Sequence, residues 1–370
     1  MSSFDNFKLL PSLERALSEK GLVKPTEIQN LIIPELLNGR SVIGVAETGS
    51  GKTLSYVLPI LHSLKTLENE GKPININMQP RAIVIVPTRE LGEQVSKVFK
   101  SLTHTTRLRV RSVLGGTTME VAKKNIVGSF EVLVATPGRI LKFLERGLPL
   151  IDGRVIVFDE AYQMLDQSFL PTASRIVKVC PPSPQMGLFS ATISPVVQKL
   201  ITQLFSNVQV IRSEGSHRVV PTLTVKNELV IRGKRFPLLE KLLEKGAKGG
   251  TLIFTNTREQ CDKLAALLTE KEFKCAIYRG EMGKVERRAN LKQFREGQID
   301  LLISTDLASR GLDIERVGIV INYHLPKEID NYIHRVGRTA RAGRPGLVIN
   351  FVTERDKKLV GKLDSLRRSR

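Results

Sequence analysis

Short runs of apolar residues, many of them β-branched, alternate along the chain with longer stretches of helical periodicity. The runs are found at 41–45, 81–86, 132–135, 154–158 and 185–189, and again at 251–254, 275–278, 300–304, 317–322 and 346–351. Near-continuous apolar runs of this length are typical of strands that helices cover on both faces. Alternation with helices favours right-handed crossovers between parallel strands. The pattern therefore predicts an α/β fold with mostly parallel sheets flanked by helices.

The two series of strands are separated by a polar segment near residues 213–221, which contains Gly215 and Pro221 and follows neither period. A chain of 370 residues is long enough for two or three domains of about 150 residues each. We predict a first domain at 1–212, a short linker at 213–220 and a second domain at 221–370. A hydrophobic fraction of 41% excludes a wholly disordered basic chain.

The charge of the chain points to a polyanionic partner. The formal net charge is +20, with 25 basic and 18 acidic residues up to residue 215 and 32 and 19 after it. Such a field attracts the phosphates of nucleic acid or of anionic lipids, although a soluble protein can also simply be basic. No apolar run approaches the roughly 20 residues of a membrane-spanning helix.

The cysteines and the first residues indicate a cytoplasmic protein. Cys180, Cys261 and Cys275 are isolated and odd in number, which suits a reducing compartment and lacks metal-ligand spacing. The first residues lack the basic and apolar regions of a secretory signal. We expect a cytoplasmic protein with no membrane partner.

A phosphate-binding loop follows the run at 41–45. Residues 46–53 read Ala-Glu-Thr-Gly-Ser-Gly-Lys-Thr and precede an amphipathic helix, which is the context of a P-loop with Ala46 in the first place. Gly49 and Gly51 allow backbone N–H groups to point inward, and the helix N-terminus adds positive potential. Lys52 would reach the β- and γ-phosphates, and the Thr53 hydroxyl would bind Mg²⁺.

Two acidic residues end the run at 154–158. Asp159 would hold the Mg²⁺, and Glu160 would orient and polarise the attacking water. Adjacent acidic residues after a strand also occur as plain exposed turns, so this interpretation depends on the loop about 100 residues upstream.

A basic run lies far along the chain, at 334–341. Its arginines include Arg338 and Arg341, which would share one face if the run is helical, and guanidinium groups suit a phosphoryl group in its transition state. We predict that both act as arginine fingers supplied by the second domain. A solvated basic helix face is the alternative.

These segments together resemble the DEAD-box RNA helicases of superfamily two, and the resemblance extends from Phe4 to about Phe351. It depends on ordered motifs at 24–29, 46–53, 87–91, 115–116, 136–139, 159–161, 190–192, 254–257, 304–306, 308–313 and 334–341. The resemblance implies two RecA-like domains, ATP and Mg²⁺ as cofactors, RNA as partner and a monomeric protein.

The resemblance also implies roles for individual residues. Gln29 would read the adenine edge and Phe4 would stack on the base, although a core aromatic is the alternative for Phe4. The nucleotide-binding set comprises Phe4, Lys24, Gln29, Ala46, Glu47, Thr48, Gly49, Ser50, Gly51, Lys52, Thr53, Gly311 and Asp313. RNA phosphates would be held by Thr88, Arg89, Gly116, Thr136, Arg139 and Thr305. Ser190, Thr192 and His334 would couple nucleotide state to strand separation.

One departure from the family lies in its signature acidic motif. The fourth residue is Tyr162, where the family has Asp, so a carboxylate is replaced by a hydroxyl on a longer side chain. We expect an ATP-dependent RNA helicase whose hydrolysis is coupled differently to unwinding, unless the replacement is neutral. The alternatives are an ATP-gated RNA clamp or scaffold with weak unwinding, and a DNA translocase.

Overall fold

The computed structural model describes residues 3–47, 49–74, 76–147, 152–161, 164, 169–193, 195–205, 208–213, 223–244, 250–280, 282–306, 314, 316–340 and 345–368. The chain divides into two compact units, Met1–Ser216 and His217–Arg370. The predicted linker at 213–220 lies outside the described residues except for Ser213.

Unit 1 is built on a seven-stranded sheet in the order β3-β4-β2-β5-β6-β1-β7. Its strands are β1 (Val42–Val45), β2 (Ala82–Ile85), β3 (Val110–Val113), β4 (Val132–Ala135), β5 (Val155–Asp159), β6 (Gln185–Ser190) and β7 (Gln209–Arg212). All described pairings are parallel. Its helices are α1 (Pro11–Glu19), α2 (Glu27–Leu37), α3 (Lys52–Asn69), α4 (Arg89–Thr106), α5 (Met119–Asn125), α6 (Pro137–Leu144), α7 (Phe169–Lys178) and α8 (Pro195–Leu204).

Unit 2 has a six-stranded sheet in the order β10-β11-β9-β12-β13-β8. Its strands are β8 (Leu223–Leu229), β9 (Gly250–Thr255), β10 (Cys275–Tyr278), β11 (Leu301–Thr305), β12 (Val317–Asn322) and β13 (Gly346–Val352), and their described pairings are parallel as well. Its helices are α9 (Arg235–Glu244), α10 (Arg258–Glu270), α11 (Lys284–Arg295), α12 (Ile329–Val336) and α13 (Lys357–Arg368). Apolar clusters lie on both faces of each sheet.

The predicted α/β class with parallel sheets is confirmed, and each of the ten apolar runs forms a strand. The sequence pattern missed β3, β7 and β8, and all three lie at sheet edges. Edge strands keep one side open to solvent, so they lack the continuous apolar run of a central strand. β8, for example, has no fully buried residue.

Among the described residues, no helix combines the length and the apolar character that a membrane crossing needs. The three cysteines carry free thiols, with Cys180 and Cys261 buried. Burial raises the pKa of Cys180 to about 11 and that of Cys261 to about 12. Both residues are therefore neutral thiols that pack as small hydrophobic side chains.

Candidate active site

The loop after β1 has the backbone conformation that a phosphate-binding loop needs. Gly49 and Gly51 have φ angles of 89° and 92°, which only glycine adopts without strain. A Cβ on Gly51 would lie 2.4 Å from Nε2 of Gln29, so space as well as torsion requires glycine there. Gly51 is the N-cap of α3 and supplies no side-chain cap, so the first N–H groups of the helix are not capped by a side chain.

Lys52 lies over this loop. It is 6% exposed, and its Nζ donates to the carbonyl oxygens of Ala46 at 2.5 Å and Glu47 at 3.2 Å. Its nearest described carboxylate is Oε1 of Glu160, at 3.8 Å. The ammonium is therefore buried, and its ion pair with Glu160 is too long for a hydrogen bond, which leaves the ammonium able to bind an anionic ligand.

The predicted acidic pair ends β5 and faces Lys52. Asp159 is 2% exposed, and burial followed by repulsion from Glu160 raises its pKa to about 6. Glu160 has a φ of 51°, and its N–H donates to Oδ1 of Asp159 at 2.9 Å. Oε2 of Glu160 is buried and has no hydrogen-bond partner among the described residues. An orphaned acceptor beside a buried lysine is an arrangement that a bound water or metal complex would satisfy.

Tyr56 was missed by sequence reasoning. It lies on α3, is 0% exposed, and its hydroxyl donates to Oδ2 of Asp159 at 2.7 Å. Burial and the neighbouring Asp159 raise the pKa of the Tyr56 hydroxyl, and Thr53, the other predicted Mg²⁺ ligand, partly opposes this rise. Its ring packs against Phe189 and Phe99 at centroid distances of 5.0 and 6.5 Å. The contact joins residues 103 positions apart, and no local pattern signals it.

Gln29 connects the start of α2 to the phosphate loop. Its Oε1 accepts from the Thr26 N–H at 2.9 Å, and its Nε2 donates to the Gly51 carbonyl at 3.1 Å. Phe4 is 4% exposed and packs edge-to-face on Phe7, which is the core environment that the sequence left open as the alternative to base stacking. Lys24 is exposed. Base reading by these residues stays a prediction.

The predicted RNA-contact residues of unit 1 follow β2, β3 and β4, which are neighbours in the sheet. The Arg89 guanidinium donates to the Gly115 carbonyl at 3.0 Å, and the Gly115 N–H donates to Oγ1 of Thr136 at 3.0 Å. Arg139 donates to the Thr117 carbonyl. Thr88 caps α4 through Leu91 N–H, and Gly116 has a φ of 82°. Three of these bonds converge on the loop at 115–117 and form one bonded cluster there, and RNA contact by its residues stays a prediction.

The predicted coupling residues of unit 1 follow β6. Ser190 is 0% exposed and donates to the Thr192 carbonyl at 2.6 Å. Thr192 has a buried hydroxyl with no hydrogen-bond partner among the described residues. In unit 2, Thr305 ends β11 and His334 lies in α12, both buried.

Within the described residues, the run at 334–340 is not one continuous helix, so the condition for a shared helical face is not met there. Helix α12 ends at Val336, and Arg338 lies in the turn beyond it, with Nε donating to the His334 carbonyl at 3.2 Å. The helix stops because Gly337 is a weak helix former. Thr339 then donates to carbonyls at the start of β12, and Ala340 has a φ of 56°. Thr48, Tyr162, Gly311, Asp313 and Arg341 lie outside the described residues.

Arg335 has a role that the sequence did not reveal. It is 1% exposed and donates to both carboxylate oxygens of Asp306, at 2.5 and 2.8 Å. It also donates to Asn256, Asn322 and the His324 carbonyl, and it lies 5.0 Å from the centroid of the Phe254 ring. Its guanidinium ties together the ends of β9, β11 and β12.

Comparisons with known proteins agree with this geometry. Residues 26–200 match the family model described as DEAD/DEAH box helicase, and residues 234–343 match the helicase conserved C-terminal domain. The chain is 36% identical over 353 residues to the DEAD-box ATP-dependent RNA helicase RhpA of Helicobacter pylori, covering 95% of this chain and 70% of the relative. It is 35% identical over 366 residues to the ATP-dependent rRNA helicase RRP3 of Debaryomyces hansenii, covering 98% and 75%.

A solved structure of Saccharomyces cerevisiae Dbp5 bound to RNA and ADP BeF3 is similar to this chain with a TM-score of 0.86 at 28% identity. The match covers 99% of this chain and 93% of that one. Together with the family models and the relatives, this similarity confirms the resemblance found in the sequence, including two RecA-like domains and an ATP site. The chain therefore belongs to the DEAD-box family of ATP-dependent RNA helicases.

Proposed function

We propose that this chain hydrolyses ATP to ADP and phosphate on the loop at 46–53 and uses the cycle to separate or remodel RNA duplexes locally. The observation that carries the proposal is the buried group of Lys52, Asp159 and Glu160, with an unpartnered Glu160 oxygen and a Lys52–Glu160 ion pair that is 3.8 Å long. Buried charges left this incompletely satisfied are costly unless a ligand completes them.

The donor set fits Mg²⁺. Asp159 and Thr53 would hold the ion, because a carboxylate and a hydroxyl are oxygen ligands of the kind that Mg²⁺ prefers. When bound, the ion neutralises charge on the β- and γ-phosphates. A cation here also explains why two carboxylates can share a buried site, since it offsets the burial and the repulsion from Glu160 that raise the pKa of Asp159.

Side chains of the protein perform the remaining chemistry. Lys52 exchanges its loop carbonyls for phosphate oxygens, and the uncapped start of α3 supplies further donors. Glu160 orients the attacking water through its unpartnered oxygen. Arg338 and Arg341, the predicted arginine fingers, stabilise the charge that develops on the γ-phosphate in the transition state.

RNA is held mainly through its backbone by the bonded cluster around Gly115–Thr117 and by Thr305. Contacts of this type position the strand and carry little sequence information. ATP and RNA each bind both domains of the closed state, so each favours binding of the other. Closure bends the bound strand, and the bent strand cannot stay paired. The protein acts as a cytoplasmic monomer.

Glu160→Gln tests the hydrolytic assignment. The amide keeps the size of the side chain but cannot act as a base. ATP binding should stay near the native value, while RNA-stimulated release of phosphate should fall by at least about a hundredfold, the typical contribution of a general base. Native turnover in this variant would sink the assignment of Glu160.

Arg341→Ala tests the predicted fingers. It should spare ATP binding and stop turnover, because the guanidinium acts on charge that develops in the transition state. Wild-type turnover would refute the finger role.

Tyr162 favours a second candidate, an ATP-gated RNA clamp with weak strand separation. Native protein and Tyr162→Asp would be compared for duplexes unwound per ATP hydrolysed. A higher ratio in the variant supports altered coupling in the native chain, and an equal ratio refutes it. RNA and DNA of one sequence, competed in the ATPase assay, distinguish a DNA translocase.

A further inference from the structure

Unit 2 contains a cavity of about 700 Å³ that the proposed ATP and RNA contacts do not use. It lies outside the carboxyl ends of four strands, where ligands of parallel α/β sheets bind. Asn256 follows β9, 324–329 follow β12, Thr353 follows β13, and Arg235 begins the helix after β8. Neighbouring strands of the sheet thus surround one concave surface.

The lining is strongly basic. Five of its side chains are cationic and two are acidic, and the cationic ones are Arg235, Lys327, Arg355, Lys358 and Lys362. Of the two acids, Asp356 is already used, because its Oδ2 accepts from the Thr353 N–H at 2.8 Å and from the Thr353 hydroxyl at 2.5 Å. The cavity is therefore a site of positive potential that attracts phosphate groups.

A half-buried imidazole with a buried Nδ1 supports this interpretation of the cavity. Nδ1 of His324 has no hydrogen-bond partner among the described residues. Burial, followed by the charges of Arg235 and Arg335, lowers the pKa of His324 to about 4. The ring is neutral near pH 7, so it adds a polar edge to the wall without contributing charge of its own.

The cavity lies at the same end of the sheet as the proposed RNA contact of Thr305. Thr305 ends β11, β11 pairs with β9, and β9 pairs with β12. Strands in a sheet are about 4.8 Å apart, so β12 lies about 10 Å from β11. A single strand covers that distance in about three nucleotides even at a rise of about 3.4 Å each.

We propose that this cavity binds backbone phosphates of the RNA segment that continues beyond Thr305. The inference rests on the proposed function, because it extends the RNA site assigned there. It makes the cavity a sequence-independent grip on single-stranded RNA flanking the site of opening, with Lys327, in the loop after β12, and Lys358, in the first turn of α13, as phosphate contacts.

The test variant is Lys327→Gln/Lys358→Gln, in which both changed residues are exposed. The matched control is Lys271→Gln/Lys274→Gln, which removes the same charge before β10, at the opposite edge of the sheet. Binding of labelled single-stranded RNA would be followed by fluorescence anisotropy with a non-hydrolysable ATP analogue. The RNAs range from one just long enough to stimulate the ATPase to ones extended at either end.

Native protein should bind the extended RNA more tightly than the short one, and the cavity variant should lose that gain. Each single-strand phosphate contact contributes about 0.7 to the slope of log affinity against log salt, so the slope should fall by about 1.4 in the variant. The same slope corresponds to about a 25-fold loss at 0.1 M salt. The control variant should keep most of the affinity gain with extended RNA and most of the salt slope. ATPase stimulation by the short RNA should be native in all three proteins.

Equal loss for short and extended RNA, or no loss at all, would overturn the proposal. So would binding of inorganic tripolyphosphate to the native protein but not to the variant with RNA affinities unchanged, because the cavity would then take a free polyphosphate. If native protein shows no RNA-stimulated ATPase, the proposed function itself fails. An unchanged length dependence with intact ATPase rejects this inference alone.

Discussion

At the carboxyl ends of its strands, each sheet has a buried cation beside the start of a helix. The two cations differ in how completely they are paired. In unit 1, Lys52 has two loop carbonyls and a carboxylate at 3.8 Å, and Gly51 leaves the start of α3 without a side-chain cap. In unit 2, Arg335 bonds to a carboxylate, two amides and a carbonyl, and Thr257 caps α10.

This difference distinguishes a ligand-binding site from a contact that only stabilises the fold. A buried cation whose partners are complete stabilises the fold and has little left to offer a ligand. An incompletely paired cation beside an uncapped helix keeps donors for phosphate. Thr257 and Gln260 form a capping box on α10, so the helix end that corresponds to the nucleotide-binding one is closed by its own side chains.

Lys52→Ala should have the largest effect, which is a loss of ATP affinity in unit 1. Loss of charge-assisted bonds to two phosphates, each about 1.5–3 kcal/mol, should reduce ATP affinity by at least about a hundredfold. Titration with a fluorescent ATP analogue measures this. The free energy of unfolding should fall only modestly, because the Glu160 carboxylate that loses its cation lies 3.8 Å from it, beyond hydrogen-bond distance. Native affinity would contradict the assignment.

Arg335→Ala should be the largest change to stability. It leaves Asp306 without its bidentate partner and two asparagine side chains without a donor, which costs about 3–5 kcal/mol for a buried pair. Denaturant unfolding of the full chain measures the loss. Arg355→Ala, an exposed arginine of the same unit, should change stability by less than about 0.5 kcal/mol. Equal midpoints for the two variants would refute the structural role.

Tyr56→Phe should raise the Mg²⁺ concentration that nucleotide binding to unit 1 requires. The ring keeps its packing against Phe189, while Asp159 loses the hydrogen bond that orients it. A bond of about 1–1.5 kcal/mol corresponds to roughly a tenfold rise in the Mg²⁺ concentration needed for half-maximal binding of ADP.

Tyr332→Phe is the matched control for that experiment, because Tyr332 is also buried and its hydroxyl accepts from Asn350 at 3.0 Å. It should cost similar stability and leave the Mg²⁺ dependence unchanged. The same Mg²⁺ dependence in both variants would remove Tyr56 from the site.

Thr257→Ala should have the smallest effect. Loss of this N-cap costs about 1 kcal/mol of stability. It should not alter the ATPase rate constant at saturating ATP and RNA, since the cap serves only α10. Thermal unfolding measures the stability, and steady-state ATPase assays measure the rate constant. A changed rate constant with unchanged stability would contradict the prediction.

Much of the site could be predicted because its residues are adjacent in the chain. Residues 46–53 contain the glycines, lysine and threonine of one phosphate loop, and Asp159 and Glu160 end one strand. The end of the helix at Val336 could not be predicted, because the bonds from Thr339 to carbonyls of β12 compete with helical geometry and no periodicity reveals them.

By itself, the sequence determined the alternation of strands and helices, the central strands, the phosphate loop and the acidic pair, since each depends on neighbouring residues. Tertiary structure decided which strand ends share an edge, because strand order follows from pairing between distant segments. That order places the Tyr56 hydroxyl on Asp159 and Arg335 on Asp306, and it lets loops from four strands enclose the basic cavity. Such contacts join residues that are distant in the chain and form only when it folds. No local pattern of residues therefore predicts them.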